Sequence, residues 1–289
     1  MGILLLKITQ IKVIFMENRT DLALECFESA EKTKLDGVIV RENNAVTTVE
    51  VTNENGALAL GKPKGKYVTL NVQSFVTDTN VFDERLNEFS SVLKTVLPKN
   101  AASVLVVGVG NENITADSLG PKTNDYVLAT RHILPDLQKS LAADDLFNVA
   151  TLTTGVLGET GIETAEIVKG IVRQISPDCV IAVDALAASS AERLGTTIQF
   201  SDSGISPGSG VGNHRDEISS TTVGVPVIAI GIPTVVSTGV ISGDGGDTAF
   251  VTPREIDRIT EQGAKLIGMG INVCLQKSLS VSDLSALVG

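Results

Sequence analysis

Apolar residues in this chain gather into short unbroken runs, separated by stretches in which they recur every three to four positions. SVLVVGV at 103–109, DCVIAV at 178–183 and VPVIAI at 225–230 are apolar almost throughout. A strand reads this way when both of its faces are buried. Shorter β-type runs fall at 37–41, 45–51, 149–153 and 196–200. Another, 66–72, follows the turn-rich GKPKGK at 61–66.

Helical spacing predicts the layers around those strands. Residues 19–35 read as a polar helix. Phe82, Leu86, Phe89, Val92, Leu93 and Val96 share one helical face, and Pro98 ends that segment. Ile162, Ile167, Val168, Ile171 and Val172 predict a helix over 161–175. A loop at 111–121 leads into a helix reaching about residue 133. The chain closes with a helix over 253–275, for which Thr252 serves as N-cap and Pro253 as first residue.

Strands alternating with helices predict an α/β fold of three layers. Its sheet is expected to be largely parallel with helices on both faces, plus a small additional N-terminal β region forming its own sheet. No repeat or long linker divides residues 19–289, which read as a single domain. Residues 1–18 stand apart. The first fifteen are rich in Ile, Leu and Val, but Lys7 and Lys12 interrupt the run. That run is too short and broken for a membrane span and lacks a signal-peptide cleavage site. These residues read either as a propeptide or extra strand, or as a misassigned start ahead of Met16.

Composition narrows the chemistry. The 289 residues include 3% aromatics and no Trp, so aliphatic side chains and glycine fill the core. The net charge of −11 opposes binding to a phosphate backbone, which makes nucleic acid an unexpected direct partner. Three cysteines, Cys26, Cys179 and Cys274, form no CxxC pair, and Cys179 reads as a core residue. His132 and His214 have no neighbouring ligand set, so neither a metal nor a cofactor is expected. No GxSxG elbow supports a serine nucleophile. Gly108-Val-Gly110 lacks the third glycine of a dinucleotide fingerprint.

Ligands of open α/β sheets collect at the C-terminal strand ends. Two of these ends carry an acid. Asp117 follows the 103–109 run within a loop, and Asp184 follows the 178–183 run directly. If the strands are neighbours, the two carboxyls face one crevice. Close carboxyls do not both ionise readily, so one can draw a proton from water while the other donates to a carbonyl oxygen. Such a pair titrates as a unit, and sequence assigns neither role. The competing reading makes both aspartates helix caps or turn residues. Two glycine-rich loops, 154–164 and 205–213, either line a substrate cleft or are ordinary turns and surface. Candidate substrate contacts in the loops at these strand ends are Asn111, Gly155, Glu163, Gly208 and Gly210.

The stretches RTDLA at 19–23, GKYVTL at 65–70, VVGVGN at 106–111, TADSLGP at 115–121, TRH at 130–132 and TGIET at 160–164 resemble the spore germination protease family. So do VDALA at 183–187, SDSGI at 201–205, PGSGVGN at 207–213, GVPVIAIGIPTVV at 224–236 and VTPREI at 251–256. These motifs run in order across most of the chain after Met16. The resemblance implies an endopeptidase of aspartic type on a fold like that of hydrogenase maturation proteases, with Asp117 and Asp184 as its essential pair. It implies small acid-soluble spore proteins as substrates, in the cytoplasm of the spore core. It also implies a zymogen, often tetrameric and hence a homo-oligomer, that removes its own propeptide near 19–23. The sequence departs from the family at Ser189, where Arg is usual, and at Ser237, where Asp is usual. The segment joining 237 to 251 is also short. Two other readings remain open: a metal-sensing maturation peptidase, and a non-catalytic binding protein.

Overall fold

The computed structural model describes residues 20–30, 35–72, 74–77, 84–133, 146–213, 215–239 and 249–288. The start of the chain through residue 19, including the two readings of 1–18, lies outside them. The N-terminal part contains α1 (Ala23–Ser29), β1 (Val38–Asn43), β2 (Val46–Val51), α2 (Glu54–Leu60), β3 (Gly65–Asn71) and α3 (Glu84–Val96). The centre contains β4 (Ser103–Gly108), α4 (Leu119–Asp125), β5 (Asn148–Thr153), α5 (Leu157–Thr160), α6 (Thr164–Ile175) and β6 (Cys179–Ala188). The chain then forms β7 (Thr197–Ser201), α7 (Ser220–Val223), β8 (Val227–Ser237), β9 (Phe250–Val251), α8 (Ile256–Leu275) and α9 (Val281–Val288).

The nine strands among the described residues join one sheet, in the order β1-β2-β3-β7-β8-β6-β4-β5, with β9 beside β8. The three solid apolar runs and residues 148–153 make its parallel core: β4 pairs with β5 and β6, and β6 with β8. On one face, α3, α4 and α8 cover Val106, Ile181, Val183 and Ile230. On the other, α6 and α7 cover Leu105, Val107, Val180 and Ala182. Residues alternating along each strand thus bury opposite faces, and the expected three layers result. Cys179 lies in the core, fully buried.

The structure corrects four sequence expectations. The N-terminal β region is not a separate sheet. Strand β7 runs antiparallel to β8 and offers its far edge to β3, so the hairpin extends the central sheet. Helix α2, which the apolar pattern did not predict, starts where the Asn53 side chain accepts the Gly56 amide at 2.9 Å. Helix α4 ends at Asp125 rather than near 133. The Asn272 amide group of α8 accepts from Leu128 N at 2.9 Å and donates to Tyr126 O at 2.7 Å, drawing that backbone away from helical pairing. The C-terminal helix begins at Ile256 without a side-chain cap, so Thr252 is not its N-cap nor Pro253 its first residue. Pairing of Phe250 and Val251 with β8 keeps the chain extended up to that point.

Two features of the parallel core shape the crevice at its strand ends. In the first, β6 and β8 lose register between Leu186 and Ala187. Leu186 faces Pro233 and Ala187 faces Val235, which leaves Thr234 as an extra residue in the bulge. In the second, α4 begins in direct contact with strand backbone. A Cβ at Gly120 would lie 2.3 Å from Val109 O and 2.4 Å from Val183 O. Only glycine permits this approach, and it brings the segment just before α4 against the residue just after Val183. Gly120→Ala is therefore expected to destabilise the fold by about 2 kcal/mol or more, as overpacking does, with urea unfolding as the measurement. A variant as stable as the parent would show that α4 can shift without cost.

Candidate active site

Beyond Gly108, the end of β4, the neighbouring strands β6 and β8 continue and wall a crevice. Val109 N donates to Val183 O at 2.8 Å, which fixes the exit of β4 against β6 at the residue before Asp184. Asp184 lies inside β6, is 4% exposed, and accepts from Ala185 N at 2.9 Å through Oδ1. Asp117 closes a single 3₁₀ turn, Thr115–Asp117, and is half-buried. Its Oδ2 accepts from Asn111 N at 2.8 Å, folding the 111–117 loop back on itself. Gly110 makes that fold possible, with φ at +117°. Neither aspartate caps a helix. Asp184 is a strand residue, and Ser118 occupies the N-cap position of α4.

Both carboxyls line one cleft of about 390 Å³. Burial pushes the Asp184 carboxyl well above the usual carboxylate range, and the negative charges of Asp117 and then Asp21 push it further. Burial also raises Asp117, against the pull of the Asn111 amide, and Glu159 adds a smaller upward push. Both carboxyls are thus raised, Asp184 the further of the two.

Of the five loop residues singled out in sequence, Asn111, Glu163 and Gly208 line the cleft with the aspartates. Gly155 and Gly210 are not among its lining residues. Gly210 instead makes room for Asp21, whose Oδ2 would lie 2.3 Å from a Cβ there. His132 is exposed in a turn, and His214 lies outside the described residues. Among the described residues no three His, Cys, Asp or Glu side chains gather as a metal-binding group, and no helix is long and apolar enough to cross a membrane.

Sequence reasoning missed Asp21, Arg215 and Thr234, which also line the cleft. Asp21 accepts from Ser209 Oγ at 2.7 Å and from Ala187 N at 2.8 Å, and its own amide donates to Ala187 O at 2.9 Å. Lys62 Nζ at 3.1 Å and Gln199 Nε2 at 3.0 Å both donate to its carbonyl. With Arg215, it also lines an adjoining cleft of about 370 Å³ beside Lys62 and Tyr67. The only signal for Asp21 was its place in the RTDLA stretch. Thr234 likewise lay in a family-like stretch, 224–236, but among apolar residues that read as core.

The fold is thus an α/β protein with two carboxyl-bearing residues in a crevice at its parallel strand ends, the place where open α/β sheets bind their ligands. The sequence profile described as Germination protease matches residues 16–250. The germination protease of Priestia megaterium is 44% identical over 92% of this chain and 76% of its own length. That of Clostridium perfringens strain ATCC 13124 is 37% identical over 92% of this chain and 98% of its own. A solved [NiFe] hydrogenase maturation protease, HycI from Thermococcus kodakarensis, aligns with 63% of this chain and 99% of its own at 20% identity and a TM-score of 0.38. This chain belongs to the germination protease family and is a peptidase.

The raised Asp184 sets a stability dependence of known sign. A carboxyl whose folded-state pKa lies above its unfolded value stabilises below the unfolded value and loses that contribution as pH rises through the folded one. Asp184→Asn, which cannot ionise, is expected to melt with the parent near pH 4 and above it at pH 8. For a chain of this size the gap is about 2–4 °C per kcal/mol. Scanning calorimetry across that range checks it, and a gap that does not change with pH would mean Asp184 is not perturbed.

Proposed function

We propose that this peptidase is an endopeptidase that degrades small acid-soluble spore proteins during germination, using Asp117 and Asp184 to hydrolyse the peptide bond without a metal. The observation that carries the reading is the convergence of the two carboxyls, from separate strand ends, on one cleft where burial and mutual charge raise Asp184. Asp117 as carboxylate takes a proton from water, and the water oxygen bonds to the scissile carbonyl carbon. Asp184 gives its proton to the carbonyl oxygen. The tetrahedral intermediate then collapses. Its C–N bond breaks, the leaving amine takes the proton from Asp117, and the new carbonyl returns its proton to Asp184.

The chain is further proposed to be a zymogen that processes its own N-terminus. Support comes from Asp21, which lies within the RTDLA stretch and lines the same cleft as the aspartates. The spore-core cytoplasm and a homo-oligomeric assembly rest on the resemblance alone. Sedimentation of the purified chain tests the assembly, since a monomer at working concentration contradicts it. The net charge of −11 argues against direct contact with the DNA that the substrates coat.

The protein starting at Met16 is to be incubated with a small acid-soluble spore protein, beside Asp117→Asn and Asp184→Asn, with and without chelator. Cleavage by the parent, equal in chelator and reduced at least about a thousandfold in both variants, is the expected result. Parental rates in both variants would refute the catalytic assignment. Loss of activity in chelator would favour the metal-dependent reading.

A further inference from the structure

Thr234 is the extra residue of the β6/β8 bulge, and it is 1% exposed. Its Oγ1 is inaccessible to solvent and has no hydrogen-bond partner among the described residues. A buried hydroxyl without a partner costs about 1–3 kcal/mol relative to an apolar group of the same shape. Valine has that shape, and Val235 and Val236 come directly after it. The hydroxyl is therefore not there for packing. The bulge has a local consequence too. An unpaired strand residue beside a cleft is free to be aimed away from the ladder, and bulges recur next to active sites for that reason.

The surroundings point to what the hydroxyl serves. Thr234 lines the cleft that holds Asp117 and Asp184, together with Ala116 and Ala185, their immediate chain neighbours. Strand β8 packs directly on the 3₁₀ turn that ends in Asp117. Each aspartate already uses one oxygen: Asp117 Oδ2 on Asn111 N, and Asp184 Oδ1 on Ala185 N. Among the described residues no hydrogen bond reaches the other oxygen of either carboxyl, which leaves it for chemistry. The χ1 torsion of a threonine has staggered wells that aim the hydroxyl in different directions from the same backbone, so a change of rotamer would reaim it.

Building on the two-aspartate reading, we infer that Thr234 is a positioning residue, whose hydroxyl rotates in the substrate complex to donate a hydrogen bond to the free oxygen of the ionised Asp117. A donor there favours the carboxylate form and restricts the rotation of the base toward water. The resting enzyme leaves the hydroxyl unpaired, and the bond forms only in the working state. This makes it the kind of interaction that raises kcat without tightening substrate binding.

The test compares the parent with Thr234→Val and Thr234→Ser, using a small acid-soluble spore protein as substrate and Asp117→Asn as the inactive reference. Thr234→Val should lower kcat at least about tenfold and change KM by less than about twofold. It should also move the acid limb of the kcat profile to higher pH, because the base loses a donor to its charged form. Thr234→Ser should keep kcat within about threefold of the parent. Thermal melting reads the premise without turnover: Thr234→Val should melt at or above the parent, because it removes an unpaired hydroxyl. Parental kcat and pH profile in Thr234→Val, with Asp117→Asn inactive, would overturn the inference and leave the aspartate pair standing. Melting of Thr234→Val below the parent would also overturn it, by showing that the hydroxyl is already bonded in the folded chain. Parental activity in Asp117→Asn would remove the base on which the inference rests.

Discussion

The contact on which the site depends is the absence of a side chain at Gly120. Helix α4 starts against the carbonyl oxygens of Val109 and Val183, and any Cβ would collide with both. The first belongs to the residue just past β4, and the second leads into Asp184. The helix start, the strand exit and the buried acid are therefore held at backbone distance from one another. Asp117, three residues ahead of Gly120, is carried to the crevice by the same contact. The pair does not rely on flexible side chains reaching across a gap, because rigid elements deliver each carboxyl separately.

Burial then gives the pair its asymmetry. Asp184 is buried in β6, beside β8 and just past the end of β4, where an ionised carboxyl loses its hydration. Asp117 sits higher, on a turn, and receives a backbone amide. Burial raises both groups, but Asp184 further, because one is in the sheet and the other in the loop above it. Asp21 adds a third acid from the start of the described chain. It is tied to β6 through Ala187 and to the 205–213 loop through Ser209. Among the described residues that line this cleft, Arg215 is the only cation.

The parallel core, and the place of both aspartates at its strand ends, were legible in the sequence because their signals are local. A strand buried on both faces is a run of aliphatic residues, and an acid at its end stands out against it. The errors came from interactions that local patterns do not carry. The N-terminal hairpin joins the main sheet because β7 reverses direction and exposes an edge, which is a matter of topology. Helix α4 stops at Asp125 because Asn272, distant in sequence, captures the backbone on either side of Val127. Gly155 and Gly210 were named as candidate contacts on the strength of glycine-rich loops, and neither lines the cleft. Gly210 serves the clearance of Asp21 instead. Thr234 was hidden because a lone hydroxyl in an apolar run looks like a packing residue until the bulge is known.

The pairing of β9 with β8 is small, Val236 with Val251 and Ser237 with Phe250, yet it clamps both ends of the segment between them. The entropic cost of closing a segment grows only with the logarithm of its length, by about 0.6 kcal/mol per doubling. Once clamped, that segment can gain or lose whole modules while the strand ends, and the crevice they wall, keep their positions. The clamp is an insertion port, through which a lineage can change size, partners or control while its catalytic machinery stays the same.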